Sequence, residues 1–134
     1  MATRQQARMA VVSLLYAYDL GNGNTSEHAD EILEEKKIRN KQKDFALTLY
    51  EGVMQNLEVC DAAIVKHLKE WDFERLGAIE RATLRLASYE ILFGDLDSAV
   101  VINEAVEITK SFGTEQSPKF INGVLDAISK EKQA

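Results

Sequence analysis

The chain has 134 residues, 46% apolar and 28% charged, the proportions of one folded soluble domain over residues 1–134. It holds no apolar run of about 18 residues, and Met1–Val12 lacks the apolar stretch and cleavage site of a signal peptide, which excludes a membrane span and predicts a cytoplasmic address. A net charge of −6 argues, on the sum alone, against a nucleic-acid binder, because phosphate contact rewards positive charge.

Pro118 is the one proline, and long proline-free sequence with periodic apolar residues reads as helix throughout. A first helix over about Arg4 to Leu20 is capped by Thr3 and ended by Gly21-Asn22-Gly23-Asn24. Ala7, Val11, Leu14 and Tyr18 form its core stripe, and Met9, Val12 and Tyr16 lie on a neighbouring face. A short acidic helix follows over Glu27 to Lys37, with Ile32 and Leu33 as its apolar contacts. Asn40 is placed to cap a third helix, Lys41 to Asn56, with Phe45, Leu49 and Val53 inward. A fourth, Glu58 to Lys69, uses Val59, Ala62, Ala63, Val65 and Leu68. Trp71-Asp72-Phe73 reads as a packed corner.

The fifth helix, Leu76 to Phe93, is apolar over a wide face (Ile79, Ala82, Leu86, Tyr89, Phe93, with Leu84, Ala87 and Ile91 beside them), which predicts a central position. Gly94-Asp95 ends it. Ser98 is placed to cap a sixth helix carrying Val101, Ala105, Ile108 and Phe112 and stopping at Gly113. Ser117-Pro118 then starts a seventh: a hydroxyl cap followed by proline where its missing N–H costs nothing. The fold expected is all-α, a compact bundle of about seven helices with short loops.

The distribution of charge says more than its sum. Met1 to Tyr18 holds Arg4 and Arg8 and no acid, whereas Glu27 to Glu35 holds Glu27, Asp30, Glu31, Glu34 and Glu35. Catalytic chemistry is not visible. His28 and His67 stand in separate helices with no metal-ligand spacing, so no metal and no cofactor is expected. Cys60, the lone cysteine, forms no internal disulfide and reads as a small buried hydrophobe. No strained serine turn and no glycine-rich phosphate loop occurs, and Glu34–Glu35 reads as a solvated helix face. A binding protein is expected rather than an enzyme.

Three stretches carry a resemblance. The first is Ala7-Arg8 followed by Leu15-Tyr16. The second is Ile79-Glu80-Arg81-Ala82-Thr83-Leu84-Arg85-Leu86-Ala87-Ser88-Tyr89-Glu90. The third is Val101-Ile102-Asn103-Glu104-Ala105-Val106-Glu107, then Lys110-Ser111-Phe112-Gly113, then Lys119-Phe120-Ile121-Asn122-Gly123-Val124-Leu125-Asp126. In order, spacing and total length these resemble the NusB family of bacterial transcription antitermination factors, over essentially the whole chain except residues 22–44.

The resemblance implies two packed helical subbundles. It implies pairing with NusE, a small-subunit ribosomal protein, and joint binding of the boxA element of nascent RNA, notably in ribosomal RNA operons. The pair then helps RNA polymerase, within its antitermination complex, to read through terminators. Some members also self-associate, so a homodimer belongs among the expectations. The same fold occurs attached to RNA cytosine methyltransferases, but this chain has no room for such a domain.

The resemblance also implies site residues. Arg4, Gln5, Gln6 and Arg8 fall on the arginine-rich, RNA-facing end of the first helix, with Gln5 and Gln6 where several relatives carry arginine. Glutamine hydrogen-bonds to phosphate or base but releases no counterion, which implies a smaller salt slope. Gln116, Ser117, Lys119 and Phe120 form a second RNA-facing site at a helix start. Tyr16 and Glu80 match positions that face NusE. Without the resemblance, a frayed terminus, a capped helix start and a helix buried on two sides account for the same residues. Lys110, Arg81 and Arg85 are weaker electrostatic candidates. Lys36, Lys37, Arg39, Lys41 and Lys43 form the densest basic run; flanked by Glu34, Glu35 and Asp44, it reads as a mostly solvated face, with an accessory RNA contact as the lesser reading. The alternative function is a helical scaffold that binds protein partners only, its RNA face lost with the glutamine replacements.

Overall fold

Seven α-helices and one 3-10 turn make up the described part of the chain. The computed structural model describes residues 2–21, 24–69, 72–112 and 117–133. The helices are α1 (Arg4–Asp19), α2 (Ala29–Glu35), α3 (Asn40–Gln55), α4 (Leu57–Lys66), α5 (Ala78–Phe93), α6 (Ser98–Ser111) and α7 (Ser117–Gln133), with the 3-10 turn at Phe73–Arg75.

Local chemistry explains most boundaries. At the start of α1 the Gln6 N–H donates to Thr3 Oγ1 (3.1 Å) and the Thr3 N–H donates to Gln6 Oε1 (2.8 Å), a reciprocal capping box. Gly94 ends α5 as expected. Asp97, not Ser98, caps α6: its carboxylate accepts the Ala99 N–H at 3.0 Å. Asn40 is the first residue of α3 rather than its cap, at φ 57°, a left-handed conformation that asparagine tolerates. The second helix begins at Ala29, later than expected, because the chain before it turns toward α3 and brings the Ser26 hydroxyl within 2.9 Å of the Tyr50 hydroxyl. Trp71 and Gly113 lie outside the described residues; Asp72 caps the 3-10 turn through the Glu74 N–H.

Two apolar clusters share α5. Ala7, Val11, Leu14, Leu33, Ala46, Tyr50 and Val53 form the first, completed by Ala82 and Leu86. Ile64, Leu84, Ala87, Ile91, Val101, Ile121 and Leu125 form the second. The wide apolar face of α5 is therefore divided between two subbundles, which is why it reads as central. The stripe in α4 differs from expectation. Cys60 and Ile64 are buried, whereas Val59, Ala62 and Val65 are exposed, because the face that meets α5 is the one carrying Asp61 toward Arg85. Cys60 is fully buried, and burial pushes its thiol up to about 12. Tyr18 and Phe93 are also surface residues, since each lies on the last turn of its helix.

Candidate nucleic-acid interface

Helices α1 and α5 run antiparallel, and charges tie them at both ends. At one end the Arg8 guanidinium donates to the Glu90 carboxylate through Nε (3.0 Å) and Nη2 (2.9 Å). Arg8 is 4% exposed and Glu90 6%. At the other end Arg81 Nε donates to Asp19 Oδ2 at 2.7 Å, and Arg85 Nη1 to Asp19 Oδ1 at 3.2 Å. Arg85 also forks onto Asp61 at 2.8 and 3.0 Å, with the Phe73 ring against both arginines. Burial alone would weaken the Arg85 cation, but the hydrogen bonds and charges of Asp61 and Asp19 together outweigh it and hold the charge in place.

These pairs redirect three expectations. Arg8 is a tie between α1 and α5 instead of an open cation, because its fork is closed by Glu90 and its face is packed near Phe45. Arg81 and Arg85 are likewise committed to Asp19 and Asp61 and present no free cation to RNA.

The remaining candidates sit at helix ends. Arg4 is exposed, with its guanidinium 4.2 Å above the Phe45 ring of α3, a cation–π seat that fixes the charge at the α1–α3 corner. Gln5 and Gln6 are exposed beside it, Gln6 keeping its amide NH2 while its oxygen serves the capping box. Lys119 is exposed in the first turn of α7. Phe120 is half-buried against the second cluster and, with Lys119, His67 and Lys69, borders a groove of about 370 Å³ between the end of α4 and α7. Gln116 lies outside the described residues, as does the Ser117 side chain.

Tyr16 is 36% exposed. Glu80 is half-buried and its carboxylate lies against Gly77, where an added Cβ would stand 2.0 Å from Oε2. A side chain at position 77 would displace the Glu80 carboxylate from this seat. Both residues fall within one turn of the Asp19–Arg81 pair, so they share one end of the α1–α5 pair. Arg4 lies 12 residues before Tyr16, about 18 Å along the helix. One end of α1 therefore offers Arg4 and amides; the other offers Tyr16, Tyr18 and Leu20, all exposed.

Some neighbours escaped the sequence reading. His67 and Lys69 stand beside Lys119, and Lys36 and Lys37 stand beside Gln6. The basic run carried a signal for the latter, but nothing local says which helix it will face. Among the described residues, no group of three His, Cys, Asp or Glu is placed to hold a metal, and no helix is long and apolar enough to cross a membrane.

Buried ion pairs that lock the helices, and polar, cationic and aromatic groups displayed at helix ends, define a two-subbundle helical protein with its binding chemistry on the surface. The chain belongs to the NusB family, whose family model matches residues 5–130. It is 88% identical over 132 residues to the transcription antitermination protein NusB of Sulfurimonas denitrificans, covering 98% of this chain and all of that one. Among solved structures it is similar to NusB of T. maritima (39% identity, TM-score 0.88, 97% and 92% of the two chains). It is also similar to a chain of the complex of antitermination factors NusB and NusE with double-stranded RNA (35% identity, TM-score 0.86, 96% of each chain).

Proposed function

We propose that this chain is a cytoplasmic transcription antitermination factor that acts by binding rather than catalysis. It pairs with NusE, and the joint surface holds boxA RNA of nascent transcripts, notably of ribosomal RNA operons, so that RNA polymerase reads through terminators. The observation that carries this reading is the full-length likeness to a chain of the NusB–NusE–RNA complex. The separation along α1 supports it: an RNA-facing end with Arg4, Gln5 and Gln6, and a partner-facing end with Tyr16 and Glu80. Gln116, Ser117, Lys119 and Phe120 complete the RNA surface at the start of α7, and Arg8 acts by holding α1 on α5. Splitting the RNA surface between two proteins lets a chain of charge −6 take part.

Paired substitutions separate the two surfaces. Tyr16→Ala should weaken NusE binding, measured by titration calorimetry, and leave the salt slope of RNA binding unchanged. Arg4→Gln with Lys119→Gln should do the reverse, lowering RNA affinity and reducing the slope by about 1.4 for two single-strand phosphate contacts. If either variant moves the other partner's affinity instead, the assignment of the two ends is wrong.

A further inference from the structure

The loop between α2 and α3 carries most of the basic run, and the fold lays it beside the N-terminal turns of α1. Two adjoining troughs result, sharing Ala2 and Lys37. The first, about 550 Å³, has an apolar floor of Met9, Ala10, Ile38 and Phe112, with Gln6, Lys36 and Lys37 on its edges. The second, about 630 Å³, is bordered by Lys37, Arg39, Lys41 and the amides of Asn40 and Gln42. No carboxylate lines either trough among the described residues, in a chain with 22 acidic residues.

The cations of the run divide by partner. Lys43 is tied to Asp30 (3.1 Å) and Glu34 (2.7 Å), and Arg39 to Glu34 (3.1 Å). Lys36, Lys37 and Lys41 are exposed and make no ion pair among the described residues. Glu34 is thus spent on the inner cations, and the outer three face the troughs uncompensated. An apolar floor edged by an aromatic ring, with amides and unpaired lysines along the rim, is the chemistry that holds single-stranded nucleic acid: backbone on cations, a base on the apolar face.

We propose that these troughs extend the RNA surface of α1, with the phosphates of a single strand along Lys36, Lys37 and Lys41 and an unstacked base seated against Phe112 and Met9. The inference rests on the RNA-binding reading above and adds a site to it. Across the first trough the α2–α3 loop sets Lys36 and Lys37 opposite Gln6 of α1.

The test uses the full chain with NusE and a labelled single-stranded boxA RNA across a salt series. Lys36→Gln, Lys37→Gln and Lys41→Gln are combined in one variant. A control, Lys66→Gln, Arg75→Gln and Lys130→Gln, removes the same charge from exposed cations elsewhere. The loop variant should lose roughly 10- to 100-fold in RNA affinity at 0.1 M salt, with a salt slope smaller by about 2, while the control moves little. A second variant, Ala2→Trp, fills the trough they share; it should weaken the single strand and leave the salt slope intact. Wild-type protein that binds no RNA, with or without NusE, sinks the underlying reading. Wild-type binding with a loop variant indistinguishable from the control sinks this inference alone. A loop variant that loses NusE affinity and keeps RNA affinity assigns the troughs to the protein partner and also overturns it.

Discussion

Arg8 and Glu90 stand 82 residues apart in sequence and share one buried fork. Removing one partner leaves the other charged, buried and unpaired, which costs about 3–5 kcal/mol, whereas replacing both by apolar residues of similar volume is near neutral or stabilising. Arg8→Met should therefore lower the melting temperature sharply and Arg8→Met with Glu90→Met should restore it. If the double variant binds RNA like wild type, Arg8 serves the fold; if it folds but binds weakly, Arg8 touches RNA after all. Cys60 gives a second expectation. With its thiol pushed up to about 12 by burial, it should resist alkylation in the native protein at pH 8 and react on unfolding. The unfolded thiol ionises near its ordinary value of 9.0, so the unfolded state gains first as pH rises. The Cys60 contribution to stability is full below pH 9 and is lost between 9 and about 12; a Cys60→Ala variant should show a shallower alkaline decline. The burial of Cys60 was legible from its apolar neighbours. The pairing of Arg8 was not, because a charge at helical spacing looks the same whether its partner is water, phosphate or a carboxylate from another helix.

At the scale of elements, periodicity and caps carried the reading well where one apolar stripe dominates. Helix α5 was legible as central because no single face holds its apolar residues, and α1 was legible from Thr3 onward. Helix α4 was not, since Leu57, Cys60 and Ile64 compete with Val59, Ala62 and Val65 as equally apolar stripes, and only the packing against α5 decides. Close approach between α3 and α5 is another contact that sequence spacing hides. A Cβ at Gly52 would stand 2.2 Å from the Tyr89 hydroxyl. Overpacking of this kind costs about 1–3 kcal/mol. The bulky, β-branched Gly52→Val should therefore unfold at lower denaturant than wild type, despite the poor helix propensity of glycine. A midpoint equal to wild type would mean that the half-buried Tyr89 ring swings aside without cost.

For the whole molecule, the arrangement of charge matters more than its total. Asp19, Asp61 and Glu90 are taken up by the buried arginines and Glu34 by Lys43 and Arg39, while Arg4, Lys119, Lys36, Lys37 and Lys41 stay exposed at or near helix ends. The family and the fold were legible because the α5, α6 and α7 motifs fix packing positions along the chain. The candidate surface was legible only in part: Arg4, Gln5, Gln6 and Lys119 are exposed where the resemblance placed them, whereas the meeting of the α2–α3 loop with α1 is a product of tertiary packing. The central claim is that RNA is held by this chain and NusE together. The most direct measurement is fluorescence anisotropy of a labelled boxA RNA titrated with the protein, with and without NusE, against a scrambled RNA. Specific binding tightened by NusE is the predicted result; no boxA preference even with NusE bound would contradict it and leave a scaffold that binds protein alone.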